Sequence, residues 1–386
     1  MAQLSIPLIE VSGGPLDRGR AYGEAAKDRI ATAIDYYAEA FVRSAGLSWS
    51  DVTTRALGWV PLIEDYLPGI LEEVRGIAEG SGRTFGEILA LNGRGELSYA
   101  NPFAGDEPGE CTSFALMPDG SGDGHVYCGQ NWDWRNQIRD TLVLLRVEQQ
   151  GKPTILMQVE AGQVGRHGAN SAGLALNANG LGSRFSQGMG VPGTFIRRKV
   201  LEQWDMHGAL RAVFRVRQAF STNLVLTHRE AFAIDVETTP GRHGWLYPTD
   251  GLLVHANHFE SFIPTQVADD YRPNGLDTLY RGYRARQELM RCRHLTDSAE
   301  VRAQVRRAMS DHFSAPNSLC THPDPDDHPL DAYVTVASSL VDLTTGEYRI
   351  AVGPPCENDY ELVPRNIYDG PTTRPRTSPA DALIGS

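Results

Sequence analysis

No run in this sequence approaches the ~20 apolar residues that a membrane helix needs, so no membrane partner is expected. Cysteine is scarce: Cys111, Cys128, Cys292, Cys320 and Cys356 make an odd set of five without a CxxC pair. That spacing argues against a disulfide framework or a structural zinc site, and no metal is predicted. Basic charge is also short. Lys and Arg number 36 against 48 Asp and Glu, a net charge of -12, with no basic stripe to neutralise phosphates. A nucleic-acid partner is therefore not expected. The stretch from Met1 to Pro7 has neither a basic cluster nor a long apolar run, so no signal peptide is expected and a cytoplasmic location is the default. Pro/Ser/Gly-rich linkers and internal repeats are missing as well, which predicts one domain over residues 1–386.

What is present suffices for a large core: 41% of the residues are hydrophobic and 22% charged. The texture changes along the chain. Before residue 111 it reads helical after a short strand from Leu4 to Val11. Apolar residues recur at helical spacing from Ala21 to about Ser44. A second helix from Ile70 to Ala78 stops at Gly80-Ser81-Gly82. A third opens with Thr84 as cap and Glu87 three residues on. After residue 111 the texture is mostly β. Strands are expected at 141–147, 154–159, 170–179, 224–227, 231–236, 251–256, 334–343 and 348–352. Helices are expected at 194–204, 210–220, 276–292 and 299–312. Helix pairs between runs of antiparallel strands make an α+β fold. Residues 371–386 are polar and Pro-rich and read as a flexible tail.

The change of texture falls on Cys111-Thr112-Ser113. Residues 109–117 and 125–134 read as two strands around a Gly/Asp/Ser turn, a β-hairpin. The Pro-, Gly- and acid-rich stretch from Asn101 to Gly109 reads as an exposed loop leading into it. A free thiol is most often a small buried hydrophobe, but this one sits beside Thr112, Ser113 and the Asn131-Trp132-Asp133-Trp134 strand.

Glu110-Cys111-Thr112-Ser113, then Gly129-Gln130-Asn131-Trp132-Asp133-Trp134, then His255-Ala256-Asn257-His258, resemble the acyl-coenzyme A:6-aminopenicillanic acid acyltransferase (isopenicillin-N acyltransferase) family. The resemblance runs from about Gly13 to about Cys356. It implies an autoproteolytic N-terminal-nucleophile (Ntn) hydrolase with a cysteine nucleophile. The fold it implies is a four-layer αββα sandwich of two antiparallel sheets covered by helices. It also implies a cut between Glu110 and Cys111. Residues 1–110 would then be a helical α-segment, released or nicked, that stays a partner of a catalytic β-segment, residues 111–370. Glu110 stands where the relatives carry Gly, so slower or altered processing is expected.

The site residues follow. Freed as an N-terminus, Cys111 would carry its own base: the thiol has a pKa of roughly 8.5 and the α-amine one of roughly 7.7–8.0. Asp133, on the second hairpin strand, could hold the new α-ammonium by a charge-assisted hydrogen bond. Asn131 shares a face with Asp133, and Ser113 shares one with Cys111. By resemblance, Asn257 supplies an oxyanion donor, Asn179 a second polar contact, and Arg281 a contact to a substrate carboxylate. His255 and His258 point to different faces and are not read as metal ligands. The run from His322 to His328 reads as a solvated acidic loop. The predicted activity is an N-terminal-cysteine amidohydrolase or acyltransferase that acts on a small amide or acyl thioester through a cysteinyl thioester. No cofactor is required, with a coenzyme A thioester as one admissible co-substrate. The rival readings are an unprocessed enzyme and a non-catalytic binding partner of the same fold.

Overall fold

A computed structural model describes residues 4–99, 111–181, 189–218, 220–265, 271, 273 and 275–375. The expected scissile position at Glu110, the loop before it and residues 376–386 of the tail lie outside the described residues.

Among the described residues, fourteen strands build two sheets. They are β1 (Leu8–Val11), β2 (Cys111–Leu116), β3 (Tyr127–Arg135), β4 (Leu142–Val147), β5 (Ile155–Glu160), β6 (His167–Asn170) and β7 (Leu174–Gly180). The rest are β8 (Thr222–His228), β9 (Phe232–Thr238), β10 (His243–Leu246), β11 (Leu252–His255), β12 (Tyr333–Asp342), β13 (Glu347–Val352) and β14 (Glu361–Leu362). One sheet has eight strands in the order β1-β4-β5-β6-β7-β8-β9-β10; the other has six, in the order β11-β2-β3-β12-β13-β14. The sheets lie face to face, with β2 and β3 against β7 and β11 against β9. Helices close both outer faces: Pro15–Ala25 packs on β1, Gly193–Leu201 on β6 and β7, and Thr278–Leu289 on β11 and β2. The fold is the four-layer αββα sandwich. One pairing departs from the antiparallel expectation: β1 runs parallel to β4, Leu8 opposite Leu144 and Val11 opposite Val147. Two chain segments far apart in sequence can meet in either sense, which hairpin patterns do not reveal.

Burial explains why the central strands lack the polar-apolar alternation of a half-exposed sheet. Every residue of β2, β4 and β5 is buried, as are the first eight of β3, because a layer covers each face. Thr112, Ser113, Gln130, Asn131 and Asp133 are therefore polar groups in a closed interior. Each must find a partner or carry a cost. Gly129 fits here for a steric reason: a Cβ would lie 2.2 Å from the Ser339 carbonyl oxygen and against the Phe114 ring.

Local capping signals were legible. Thr84 and Glu87 form the expected capping box, and Gly82 ends the helix Ile70–Ser81 in the left-handed region at φ 70°. The stretch read as one helix from Ala21 to Ser44 is two, Pro15–Ala25 and Lys27–Ala45, because Ala26 leaves helical geometry at φ -107° and ψ 10°. Two helices that the sequence reading passed over, Trp49–Leu57 and Val60–Tyr66, follow; the first opens on a Ser48/Asp51 capping box. The helix expected over 210–220 is Met206–Phe214. Among the described residues no helix is long and apolar enough to cross a membrane.

Candidate active site

The hairpin register places the thiol. β2 pairs with β3 so that Cys111 lies opposite Trp132 and Thr112 opposite Asn131. On its other side β2 pairs with β11, Ser113 opposite His255. Carrying that antiparallel register two residues further brings Asn257 opposite Cys111. The contact is direct: the Cys111 backbone N–H donates to Asn257 Oδ1 at 3.0 Å.

Arg281 closes the group. It projects from the helix Thr278–Leu289 and is fully buried. Its Nη1 donates to the Cys111 carbonyl and to Thr112 Oγ1, each at 2.7 Å, and its Nη2 donates to Asn257 Oδ1 at 2.7 Å. Its Nε donates to Asp277 Oδ2 at 2.6 Å, one helical turn back. Arg281 was expected to meet a substrate carboxylate; four of its five N–H donors serve the Cys111 carbonyl, Thr112, Asn257 and Asp277. A guanidinium is suited to this, since its planar fork can serve several acceptors at once.

Asn257 keeps a donor in reserve. Its Nδ2 gives one hydrogen to the Gly180 carbonyl at 2.9 Å, and that nitrogen carries two. Asn179 does not. Its Nδ2 donates to the carbonyls of both His255 and Ala256, at 2.9 and 3.0 Å, while its Oδ1 accepts from Ser113 Oγ at 2.6 Å. Instead of offering an N–H to a substrate, Asn179 fastens the end of β11, and hence Asn257, to the opposite sheet.

Asp133 and Asn131 share a face, as expected, and the register turns that face toward the helices, away from Ser113. Asn131 Nδ2 donates to the carbonyls of Met309 and Leu319, and its Oδ1 accepts from Ser338 Oγ. Asp133 Oδ1 accepts from Thr335 Oγ1 at 2.5 Å; Oδ2 is buried with no hydrogen-bond partner. Burial pushes this carboxyl up to about 7, against the opposing pull of Arg281 and the Thr335 hydroxyl. Asp133 follows Trp132, the strand partner of Cys111, and its uncompensated carboxylate oxygen is a place where a cation would be stabilised.

Behind Asn179 lies a charged group that the sequence did not disclose. His255 is fully buried, with Nε2 2.9 Å from Glu237 Oε1 and 3.5 Å from Asp235 Oδ2. Burial opposes its charge, but Asp235 and Glu237 outweigh burial and raise it to about 10. His258 next door goes the other way, down to about 4, through burial and then the His255 and Arg281 charges. Asn223 links the group to the site, donating to Asp235 Oδ1 at 2.7 Å and accepting from the Asn179 N–H at 2.9 Å.

A cavity adjoins the site. Arg94, Arg166 and Arg197 line it together with Glu96, Trp134 and Gly180, whose carbonyl also receives the Asn257 amide. The Arg166 guanidinium lies 3.6 Å over the ring of Trp132, the residue paired with Cys111. Burial and then Arg94 pull Arg166 down to about 9, with Glu160 opposing and Arg197 adding to the fall. Positive charge is thus crowded beside the thiol. Cys128 and Cys292, by contrast, are pushed up to about 12 by burial and have no such surroundings.

Several known proteins are similar to this chain. The 40 kDa form of acyl-coenzyme A:6-aminopenicillanic-acid-acyltransferase from Emericella nidulans is 30% identical over 251 residues, covering 65% of this chain and 68% of that protein. Among solved structures, conjugated bile acid hydrolase from Clostridium perfringens superposes with a TM-score of 0.47 at 12% identity, over 68% of this chain and 95% of that one. Penicillin V acylase from Agrobacterium tumefaciens gives a TM-score of 0.41 at 15% identity, over 63% and 83%. The profile of the "Acyl-coenzyme A:6-aminopenicillanic acid acyl-transferase" family matches residues 120–355, more than half of the sequence and all of it downstream of Cys111. This chain is an enzyme of the Ntn-hydrolase type that acts on acyl or amide substrates, and it belongs to the acyl-coenzyme A:6-aminopenicillanic acid acyltransferase family.

Proposed function

We propose that this protein is a self-processing cysteine amidohydrolase or acyltransferase with Cys111 as nucleophile. The observation that carries the reading is the double hold on one residue: Asn257 takes the Cys111 N–H and Arg281 takes its carbonyl, at the first position of β2. A thiol whose backbone is fixed on both sides is held for attack in one geometry.

In maturation, Cys111 Sγ attacks the Glu110 carbonyl carbon. The Glu110–Cys111 C–N bond breaks, the nitrogen takes the thiol proton, and water hydrolyses the resulting thioester to release the Glu110 carboxyl group. The freed α-amine then serves as base for Sγ in turnover. Asp133 Oδ2 is the carboxylate oxygen available to the α-ammonium, and the second hydrogen of Asn257 Nδ2 is the donor for the developing oxyanion. An acyl group moves to Sγ from an amide or an acyl thioester, such as one of coenzyme A, with loss of the amine or thiol. Water or a second amine takes it off. Asn179, Ser113 and Arg281 position these groups.

The arginine-lined cavity favours a substrate with a carboxylate at its far end. Arg166 Nε is buried without a hydrogen-bond partner, and a carboxylate there would offset part of the crowded positive charge.

Intact-mass measurement tests the reading. The 42.3 kDa chain should separate under denaturation into two fragments, the larger beginning Cys-Thr-Ser-Phe, while Cys111→Ala stays whole. A single uncut chain with amidase activity would leave the unprocessed reading standing. An uncut chain whose Cys111 resists thiol-reactive probes would favour the binding partner.

A further inference from the structure

The loop between the helix Ser298–Met309 and β12 carries His312, Cys320 and His322, and the chain after β13 brings Cys356 to meet them. The four donor atoms converge. His312 Nε2 lies 3.1 Å from His322 Nε2, and Cys320 Sγ lies 3.6 Å from Cys356 Sγ. His322 Nε2 is 3.8 Å from Cys320 Sγ and 3.3 Å from Cys356 Sγ. All four atoms fall within 4.8 Å of one another.

Those separations match the edges of a coordination tetrahedron. Zinc binds thiolate sulfur at about 2.3 Å and imidazole nitrogen at about 2.0–2.1 Å. A regular tetrahedron with those radii has edges of about 3.8 Å between sulfurs, about 3.3 Å between nitrogens and about 3.5 Å between unlike atoms. His322 Nε2 alone faces the other three donor atoms, with a single hydrogen or a single lone pair to offer them, whereas one cation would satisfy all four. Two further features suit a structural site. Four protein ligands close the coordination shell, and Glu357 Oε1 lies 3.5 Å from the other ring nitrogen of His322, where it can orient the imidazole.

We propose that His312, Cys320, His322 and Cys356 form a structural zinc site, a function that the sequence reading of a solvated loop did not foresee. Binding deprotonates both thiols and releases their two protons, and the two thiolates then balance the Zn²⁺ charge. The donor set, two sulfurs and two imidazole nitrogens in a tetrahedron, selects zinc over harder cations.

The site has a reason to be where it is. Thr321, between two ligands, exchanges backbone contacts with Thr335: its N–H donates to Thr335 Oγ1 at 3.0 Å and its carbonyl accepts the Thr335 N–H at 3.1 Å. Thr335 Oγ1 donates onward to Asp133. The Leu319 carbonyl, one residue before Cys320, receives the Asn131 amide. A cation here ties two distant loops together and fixes the bed on which Asp133 and Asn131 rest.

The test is metal content. Untagged wild-type protein, grown with zinc, reduced and dialysed, is digested and measured by plasma mass spectrometry. One zinc per chain is expected, with near-complete loss in the folded Cys320→Ser/Cys356→Ser double variant. Cobalt(II) added to zinc-stripped wild-type protein should give tetrahedral visible bands and a near-ultraviolet thiolate-to-cobalt band, and this arm decides the matter if the double variant does not fold. Zinc-free wild-type protein that takes up no zinc would overturn the proposal. So would a folded double variant that keeps its zinc, a cobalt spectrum without the thiolate band, or a Cys320–Cys356 disulfide found in freshly purified protein.

Discussion

Asn257 Oδ1 accepts two hydrogen bonds, one from the Cys111 backbone N–H at 3.0 Å and one from Arg281 at 2.7 Å. With both acceptor sites of that oxygen filled, the amide cannot flip, and its Nδ2 is held facing the Gly180 side. One buried guanidinium therefore fixes both the backbone of the proposed nucleophile and the donor proposed for the oxyanion.

Asn257→Ala in cleaved enzyme should lower turnover by ~10²–10³, the usual cost of an oxyanion donor, with little change in KM. Steady-state kinetics on protein shown by mass to be cut will check this. A raised KM at wild-type turnover would make Asn257 a binding residue.

Arg281→Met should destabilise the fold by about 3–5 kcal/mol, because Asp277 loses its buried ion pair and the Cys111 carbonyl a charge-assisted donor. Urea unfolding of the Cys111→Ala form, which removes any effect of processing, gives the number. Adding Asp277→Asn should recover part of the loss. Simple additivity of the two changes would show that they do not interact.

Asp133 gives a pH signature. Its value, about 7, lies above the ordinary 3.8, so the folded state binds this proton more tightly than the unfolded chain does. Its contribution to stability is complete below about 3.8 and lost as pH rises through about 7. Uncut Cys111→Ala protein should therefore lose stability across that window, and Cys111→Ala/Asp133→Asn should lose less. In cut wild-type enzyme the α-ammonium should pull Asp133 down and flatten the same window. Identical profiles for cut and uncut protein would separate Asp133 from the amine.

His255 acts at the alkaline end. Its value is raised from 6.5 to about 10, so its ion pair contributes fully below about 6.5 and is lost as pH rises through about 10. Glu237→Gln, which keeps an acceptor near Nε2 but removes the charge, should shrink the fall in stability between neutral pH and pH 10. Thermal melts across that range suffice, and an unchanged slope would place the titration elsewhere.

Arg166→Gln should raise KM for carboxylate-bearing amides and leave uncharged analogues nearly unaffected, because the cavity's excess charge acts on the substrate's far end. Paired kinetics with an acid and its methyl ester would read the difference. Equal effects on both would make Arg166 a prop for Trp132.

The parts of this structure that were legible in the sequence are those written locally. The hairpin at Cys111 announces itself through a turn of Gly, Asp and Ser between two strands, and its register alone puts Ser113 on the thiol's face. Thr84 and Glu87 lie three residues apart, so their capping box is visible as a pattern. Asn257 was singled out through the family resemblance of His255-Ala256-Asn257-His258, because an Asn at the end of a short apolar strand is by pattern as often a turn residue. Arg281 could be singled out, but its task could not, since its acceptor at Cys111 lies 170 positions away. The His312, Cys320, His322 and Cys356 cluster was hidden for the same reason. Its ligands follow no finger spacing, and a Cys-x-His pair among prolines carries no sign of a cysteine 36 residues on. Charge partners such as Asp235 and Glu237 alternate along β9 like any polar face, and only the opposing strand shows what they surround.

The parallel seam between β1 and β4 is joined by other cross-links of the same kind. Arg18 and Arg198 share Glu73 at 2.7 and 2.8 Å, and Tyr37 donates to Glu160 at 2.8 Å. Every one of them joins a residue before position 100 to one after 111, or to a helix so joined. Before a cut at Cys111 these contacts form within one molecule, and refolding is first order. After it they must form between two, so refolding becomes second order and the melting temperature rises with protein concentration. The mature enzyme would then be a dimer of its own fragments that remembers, in its kinetics, having once been a single chain.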